Sequence, residues 1–398
     1  MIDTSPRPEL LALLAAVKAE PDEDTPKLAL ADWLQEQDDE ADRARGEYVR
    51  EVVRYHGMKE DDLARYDVST RLTVLSQHYN WAWFGPLLTA GFQFLRSSEH
   101  WALRFPTIDG TKLVTKKTMA LAGTEAYAWI AGLSFYRLSS TQLTKFTNSP
   151  LLDTLIGLWL QDCNVSVLSV DDMVKSPRAS WMRQLAFESV PVSAASFAKS
   201  PHMARLRQLR LQQARVADAG FKAICDSPHL NELRSLSVSN NHLTIHSARA
   251  FAEGTGLSAV TELDLGGTNR IGPDGTLIMV ANPKTGRLRK LNLWSNNIAD
   301  YGVEAICNQK HMCNLTHLDV SGNLLTNRAA VAIAAAEHLK TLEELNLRTN
   351  GISGEGAMAL AESPNLANLR SLDLSANRIG AKAAEALRAR FGTRVKVD

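Results

Sequence analysis

A leucine pattern recurs from about Ile130 to the C-terminus, and it constrains the fold more than any other feature of the chain. The clearest copies begin at residues 233, 288, 315, 342 and 369, and they read LRSLSVSNNHL, LRKLNLWSNNI, LTHLDVSGNLL, LEELNLRTNGI and LRSLDLSANRI. Ten units in register do not arise by chance, so we predict an array of similar structural units. Their central leucines are Leu133, Leu158, Leu185, Leu209, Leu236, Leu263, Leu291, Leu318, Leu345 and Leu372.

Each unit alternates apolar and polar residues around its central leucine, which is typical of a strand with one buried face. In the unit at 288–298, Leu291 and Leu293 are predicted to point into the core, while Asn292 and Trp294 point out. Helix-period segments such as 302–306 follow the strands. Each unit is therefore predicted to run strand, turn, helix, turn. Ser-Pro pairs follow five of the helices, where we expect proline to stop the helix and restart an extended chain; they lie at 149–150, 176–177, 200–201, 227–228 and 363–364.

The ninth position of the later units carries asparagine, whose amide can satisfy backbone groups where the chain leaves the sheet. The earlier units carry Cys163, Val190 and Ala214 there, so we expect this polar ladder to fade towards the N-terminus. The asparagines are Asn241, Asn296, Asn323, Asn350 and Asn377.

The repeated pattern L-x-x-L-x-L-x-x-N/C-x-L resembles the leucine-rich repeat. Units of 27–28 residues with full helices are similar to the ribonuclease-inhibitor class, and the resemblance covers residues 130–390. Neighbouring strands lie ~4.8 Å apart, whereas packed helices need ~8–10 Å. The stacked units must therefore curve. We predict an α/β fold, a solenoid with a curved parallel sheet inside and helices outside, preceded by a small all-α module.

Residues 1–57 are predicted to form that independently folded module of three helices. Ser5-Pro6 and Thr25-Pro26 are expected to begin the first two helices, and the third is expected to run from about Arg43 to Tyr55. The stretch PDEDTPKLALADWLQEQDDEADRARGEYVR at 21–50 resembles the bacterial repeat-companion domain, which is found at the N-terminus of leucine-rich repeat proteins. This resemblance implies architecture and no chemistry.

Three charged residues of this module are expected to act together. Asp32, Arg45 and Glu47 are expected to form an ion network, with a recognition surface as the alternative. Trp33 is predicted to be a core residue. Residues 1–62 hold 17 acidic and 8 basic residues, whereas the whole chain has 44 of each. The acidic face of the module is therefore either simply solvated or makes an electrostatic contact within the chain or with a partner.

We divide the chain into the module at 1–57, a helical linker and N-terminal cap at 58–127, and the solenoid with its C-terminal cap at 128–398. The cap region is predicted to hold a helix from Leu63 to about Gln77 and a strand pair within 91–127. The strand pair includes Phe92, Phe94, Trp101, Leu103 and Phe105, and it covers the open end of the sheet. A helix at 380–391 and a charged strand at 393–397 are predicted to close the other end.

A search for catalytic motifs finds no G-x-x-x-x-G-K-[ST], G-x-S-x-G or H-E-x-x-H, so we expect no enzyme, cofactor or metal. The four cysteines form no C-x-x-C pair, the N-terminus lacks a cationic start, and no 18-residue apolar run occurs, which favours a reduced cytoplasmic location. Four histidines recur four residues before the first leucine of their units, where loop capping is favoured over metal binding; they are His202, His229, His311 and His338.

The outward positions of the strands are the best candidate for a binding site. Tryptophan, tyrosine and arginine carry much of the energy of protein interfaces, although neighbours or the helical module are an alternative cover for the tryptophans. No stripe of one charge runs along these rows, which disfavours nucleic acid. The predicted partner-binding residues are Tyr136, Trp159, Gln161, Arg210, Gln212, Asp264, Asn292, Trp294, Asp319, Glu344 and Arg348.

We therefore expect a non-enzymatic, monomeric scaffold that binds another protein on the concave face of the solenoid, with no nucleic acid or membrane partner. Two alternatives belong to other functional classes. One is a regulatory effector resembling the leucine-rich GTPase activators, which rests on likeness of fold alone. The other is the substrate-recruiting part of a modifying enzyme.

Overall fold

The computed structural model of the chain describes residues 6–59, 62–94, 103 and 106–397. These residues form two compact units. One comprises Met1–Val165 with Ser176–Met182, and the other comprises Ser166–Lys175 with Arg183–Asp398. Ser5, Trp101 and Phe105, which the sequence analysis assigned to a helix cap and a strand pair, lie outside the described residues.

The first unit begins with three helices, as predicted, although the first helix starts at Pro8 and not at Pro6. The third helix starts at Glu40 and not at Arg43, because the Asp39 carboxylate accepts the backbone N–H groups of Ala41 and Asp42. The expected cap at Thr25 is wrong: the second helix starts two residues earlier, at Asp24 after Glu23, and no side chain caps it. The helices are α1 (Pro8–Ala19), α2 (Asp24–Gln35) and α3 (Glu40–Gly57).

The residues expected to form one ion network make three separate contacts instead. Asp32 pairs with Arg50, and Glu47 pairs with Arg71, 2.6 Å away. Arg45 is buried, and its guanidinium lies 3.8 Å from the ring centre of Trp129. A buried guanidinium against aromatic faces is stabilised by cation–π attraction. Arg45 therefore helps to join the three helices to the rest of this unit.

Trp33 is half-buried rather than a full core residue, and the Arg7 guanidinium lies 5.3 Å from its ring centre. Arg7 in turn pairs with Asp42 and Glu125. Leu10, Leu14, Leu30, Leu34 and Val49 form the buried interior of the three helices, at 0–1% exposure.

The aromatic run at 79–84 continues into a helix that passes through Pro86. The helix ends where Gly91 adopts φ 99°, a left-handed conformation that glycine takes without steric penalty. A short antiparallel pair, Phe92 with Ile108 and Gln93 with Thr107, follows in the region where a strand pair was predicted, but its second strand begins at Thr107 and does not include Leu103. The remaining elements of this unit are α4 (Ala64–His78), α5 (Asn80–Ala90), β1 (Phe92–Gln93), β2 (Thr107–Asp109), α6 (Gly110–Leu113), α7 (Lys116–Met119), α8 (Glu125–Ala128), β3 (Gly132–Tyr136), α9 (Ser140–Thr147) and β4 (Gly157–Gln161).

The second unit repeats strand and helix along its length. Its strands are β5 (Gln184–Glu188), β6 (Gln208–Gln212), β7 (Ser235–Ser237), β8 (Glu262–Asp264), β9 (Lys290–Asn292), β10 (His317–Asp319), β11 (Glu344–Asn346), β12 (Ser371–Asp373) and β13 (Val395–Lys396). Its helices are α10 (Val167–Lys175), α11 (Ala194–Lys199), α12 (Ala217–Cys225), α13 (Ile245–Glu253), α14 (Gly272–Val280), α15 (Ala299–Cys307), α16 (Asn327–Ala335), α17 (Gly354–Glu362) and α18 (Ala381–Phe391).

The leucine register predicted from the sequence is confirmed. The strands pair in parallel with the central leucines opposite one another, for example Leu291 with Leu318 and Leu318 with Leu345. Parallel pairing in this register puts every central leucine on the same buried face. Leu291 and Leu318 are 1% and 2% exposed. The strands β3 to β12 are the ten strands expected from the repeats, and β13 adds parallel to β12 as the predicted C-terminal strand.

The asparagine ladder is also confirmed, and it has one more member than predicted. Asn269 lies one position later than its equivalents, because its repeat is one residue longer. Its side-chain oxygen nevertheless accepts the N–H groups of Asn241 and Leu243, both at 2.9 Å. In the first unit, the Cys163 thiol donates to the Phe135 carbonyl at 3.6 Å, so a weaker donor takes the place of the amide.

The Ser-Pro pairs were expected to restart an extended chain, and this expectation is wrong. Four of the five pairs begin short 3₁₀ turns instead. Proline suits the first position of such a turn, because it has no N–H to leave unsatisfied. The serine hydroxyl often bridges to the preceding repeat. Ser200 donates to the Val174 carbonyl at 2.7 Å, and Ser363 donates to the Ala334 carbonyl at 2.6 Å.

Candidate functional site

The outward side chains of β5 to β12 line one concave groove of about 470 Å³ on the sheet of the second unit. The groove follows from the alternation of the strands, since the leucines point to the opposite face. At ~4.8 Å between strands, eight strands extend it over roughly 34 Å. Its polar lining residues are Glu188, Arg210, Gln212, Ser235, Ser237, Glu262, Asp264, Lys290, Asn292, His317, Asp319, Glu344, Asn346, Ser371 and Asp373.

The charge of this groove is predominantly acidic. Two of its six carboxylates have basic neighbours across the strands: Lys290 lies 3.0 Å from Glu262, and His317 lies 3.4 Å from Glu344. The other four carboxylates form no such pair, and Arg210 is the one remaining basic residue in the lining. These four are Glu188, Asp264, Asp319 and Asp373. This differs from the expectation that no stripe of one charge runs along the strands. Among the described residues, the carboxylates that form no ion pair can be recognised only once the cross-strand pairs are known.

The central row of aspartates and asparagines also shapes the turn that follows each strand. The Asp319 side chain accepts the backbone N–H of Ser321 at 2.9 Å, and the Asn292 side chain accepts the N–H of Trp294 at 3.0 Å. Local bonds of this kind are typical of Asp and Asn beside turns. The same bond joins Asp264 to Gly266, Asn346 to Arg348 and Asp373 to Ser375. The alternation pattern of the sequence does not predict this role.

Side-chain bonds also run along the row from one repeat to the next. The Ser237 hydroxyl donates to Asp264 at 2.7 Å, and the Asn346 amide donates to Asp319 at 2.8 Å. These bonds hold the carboxylates in place before any ligand arrives. Preorganised groups lose little conformational entropy on binding.

Trp294 lies just past the end of β9 and does not line the groove. Its ring covers Gly266 of the preceding repeat so closely that a Cβ atom at Gly266 would be 2.0 Å from its Cδ1 atom. The side chain is 36% exposed. The sequence left two hypotheses for this tryptophan, contact with a partner or cover by its neighbours. A neighbour shields one face of the ring, and the rest of the ring is exposed to solvent.

The eleven predicted site residues fall into three groups. The groove brings together six of them: Arg210, Gln212, Asp264, Asn292, Asp319 and Glu344. Trp294 and the exposed Arg348 lie beyond their strand ends. Tyr136, Trp159 and Gln161 belong to β3 and β4 of the first unit, where Trp159 is half-buried and Gln161 is exposed.

Five charged residues that line the groove were not among the predicted contacts. All of them occupy the same outward rows of the strands, so the alternation alone was a sufficient signal. They are Glu188, Glu262, Lys290, His317 and Asp373.

One of the four recurring histidines, His311, has a structural role. The Nε2 atom of His311 lies 3.0 Å from the Val280 carbonyl and 3.1 Å from the Thr285 hydroxyl, so this ring bridges two repeats. Within the described part of the chain, no group of three or more histidine, cysteine, aspartate or glutamate residues is arranged to hold a metal ion. No helix in that same part is both long and apolar enough to cross a membrane.

Comparison with known proteins gives a match to one family model, described as the leucine-rich repeat. It matches residues 288–307, 311–334, 338–361 and 365–387. No curated protein sequence matches the chain.

Several solved structures align with the chain. A leucine-rich repeat protein of Leptospira interrogans is 15% identical over 77% of this chain and 93% of that one, with a TM-score of 0.36. An internalin of Listeria monocytogenes is 15% identical over 76% and 90%, with a TM-score of 0.42. Human trophoblast glycoprotein is 22% identical over 55% and 78%, with a TM-score of 0.41. The matched segments coincide with β9 to β12 and their helices, so this part of the chain consists of leucine-rich repeats.

Proposed function

We propose that the chain is a non-enzymatic scaffold that binds another protein, and that the sheet face between β5 and β12 holds a basic segment of that partner. The observation that carries the proposal is the acidic groove, in which Asp264, Asp319 and Asp373 recur at one strand position. Among the described residues none of the three forms an ion pair, although Lys396 of β13 lies opposite Asp373. A concave surface of one charge focuses its field and attracts a partner of the opposite charge.

The size and order of the groove also support a protein partner. Its length of roughly 34 Å matches about ten residues of extended chain at ~3.3 Å each. Tryptophan and arginine side chains often contribute much of the binding energy at protein interfaces. Trp294 and Arg348, past the ends of β9 and β11, are therefore included in the proposed contact surface. We also keep Tyr136, Trp159 and Gln161, on β3 and β4 of the first unit, as predicted partner contacts.

The finer assignments of the sequence analysis belong to the same proposal. We take residues 1–57 as a repeat-companion domain, followed by the cap at 58–127 and the solenoid at 128–398. The three helices α1 to α3 support the first assignment, and the full helix in each later repeat supports the ribonuclease-inhibitor class. A cytoplasmic location agrees with four free cysteines, and we propose a monomer.

The test neutralises the three aspartates without disturbing the turns. Asn292 and Asn346 already make the turn bond in their own repeats, so asparagine suits this position. A partner is captured with the wild-type chain, identified by mass spectrometry and purified. Its Kd is then measured by calorimetry for wild type and for the triple variant Asp264→Asn, Asp319→Asn, Asp373→Asn at two salt concentrations.

We expect a basic partner, at least tenfold weaker binding by the triple variant, and a weaker salt dependence. The matched control removes three exposed carboxylates from helices, as Glu253→Gln, Glu362→Gln, Glu385→Gln, and should bind normally. Normal binding by the aspartate variant, or loss of binding by the control, would place the partner elsewhere on the chain.

A further inference from the structure

A second concave site lies in the first unit. It is an apolar cavity of about 320 Å³ beside α1, and Leu11, Leu14, Tyr127, Ile156 and Trp181 form much of its wall. Trp181 is 45% exposed. Cavities that bind small molecules begin at about this volume and are mostly apolar, with a few polar groups that orient the ligand.

One cation stands in this apolar wall. Lys18 follows Leu11 and Leu14 at the helical spacing that puts all three side chains on one face of α1. The residue is only 7% exposed, and its ammonium donates to the Thr154 carbonyl at 2.9 Å. Across the residues that the structure describes, the ammonium has no other hydrogen bond and no ion pair.

The nearby acidic groups are already engaged. Asp153, which also lines the cavity, lies 2.6 Å from the guanidinium of Arg178 through both carboxylate oxygens. Glu125 on α8 pairs with Arg7, and the Tyr127 hydroxyl donates to the Leu151 carbonyl at 2.7 Å. Within the described part of the chain, the Lys18 ammonium therefore has no counter-ion.

An ammonium without a counter-ion in an apolar wall is unfavourable, because burial removes its hydration. This burial lowers the pKa of the Lys18 side chain to about 7. An anion with an apolar body would relieve the penalty, since its charge would pair with the ammonium and its body would fill the cavity.

We propose that this cavity binds a small monocarboxylate with an aliphatic or aromatic body, whose carboxylate pairs with the ammonium of Lys18. The apolar wall selects the body of the ligand, and the lysine selects the acid over the corresponding alcohol. The site is independent of the acidic groove, so a failure of either proposal leaves the other standing.

The experiment compares two ligands that differ only in charge. Octanoate and 1-octanol are titrated into the full chain by calorimetry at pH 6.5. We expect the wild-type chain to bind octanoate at least tenfold more tightly than octanol. Lys18→Met keeps the length of the side chain and removes the charge, so it should lose this preference while still binding octanol. The control Lys145→Met, an exposed position on α9, should keep the preference.

Two further measurements make the outcome decisive. Ala15→Trp places a large side chain in the cavity and should abolish binding of both ligands. Octanoate binding by the wild-type chain should weaken as the pH rises above 7, because the unliganded amine then loses its proton and pairing must restore it. Equal affinity for the two ligands, no binding of either, or an unchanged preference in Lys18→Met would overturn the proposal. The ligand comparison in the wild-type chain decides the matter even if a variant fails to fold.

Discussion

The side-chain oxygen of Asn323 accepts the backbone N–H of Asn296, which belongs to the preceding repeat, at a distance of 2.9 Å. The same oxygen accepts the N–H of Ile298 at 3.2 Å, and the amide nitrogen donates to the carbonyls of Leu293 and Ser321. One buried side chain thus forms hydrogen bonds to four backbone groups. The neighbouring asparagines repeat the arrangement and tie each turn to the next.

Asn296→Ala and Asn323→Ala should each lower the free energy of unfolding by about 1–3 kcal/mol, because each leaves buried backbone groups without partners. Chemical denaturation followed by circular dichroism measures the change. Asn368→Ala is the control: its exposed side chain makes one bond, to the Lys340 carbonyl. The control should lie within about 0.5 kcal/mol of wild type, and equal effects of all three substitutions would contradict the ladder's role.

Leu291→Ala should lower the free energy of unfolding by about 2–5 kcal/mol, since it opens a cavity in the sealed interior of a repeat. The same measurement on Leu324→Ala gives the comparison, because that leucine is 71% exposed and leaves no cavity. Similar stabilities for the two variants would show that the leucine face of the sheet is not the core.

Trp294→Ala should weaken binding of the captured partner at least tenfold, which corresponds to about 1.4 kcal/mol. The melting temperature should change little, because the ring covers the surface of Gly266 and not the core. Lys382→Ala, an exposed position on α18, should change neither quantity. If Trp294→Ala binds normally, this tryptophan is not a contact residue.

Gly266→Ala should displace the ring of Trp294, since the added Cβ atom would stand 2.0 Å from Cδ1. We expect a change in the Trp294 fluorescence, taken as the difference between variants with and without Trp294→Phe. Ser239→Ala, at the same position one repeat earlier, provides the reference. An unchanged emission spectrum would mean that the ring does not rest on Gly266.

The stability of the chain should rise with pH through the titration of Lys18. Its pKa falls from 10.5 to about 7 on folding, so the unfolded chain binds more protons between these values. The gain is at most about 1.4 kcal/mol for each pH unit within that window. Melting curves of wild type and Lys18→Met between pH 6.5 and 8.5 should therefore diverge, with the variant gaining less stability as the pH rises. Parallel curves would indicate that folding does not lower the pKa of Lys18.

The sequence by itself determined the repeat register, the leucine face and most of the asparagine ladder. Each of these depends on a period along the chain, because a strand must alternate and successive units must present the same residues to one core. Asn269 escaped the alignment because one inserted residue shifts it out of the period. Its side chain still reaches the same place in the turn.

Only the tertiary structure decided which charged groups keep a partner. Lys290 neutralises Glu262 from the next strand, whereas Asp264 and Asp319 have only hydrogen-bond donors beside them, and this difference makes the groove acidic. Lys18 looks like an ordinary surface lysine in the sequence, yet contacts with residues more than 130 positions away bury it. Such outcomes depend on neighbours that are distant in sequence, and no local period carries that information.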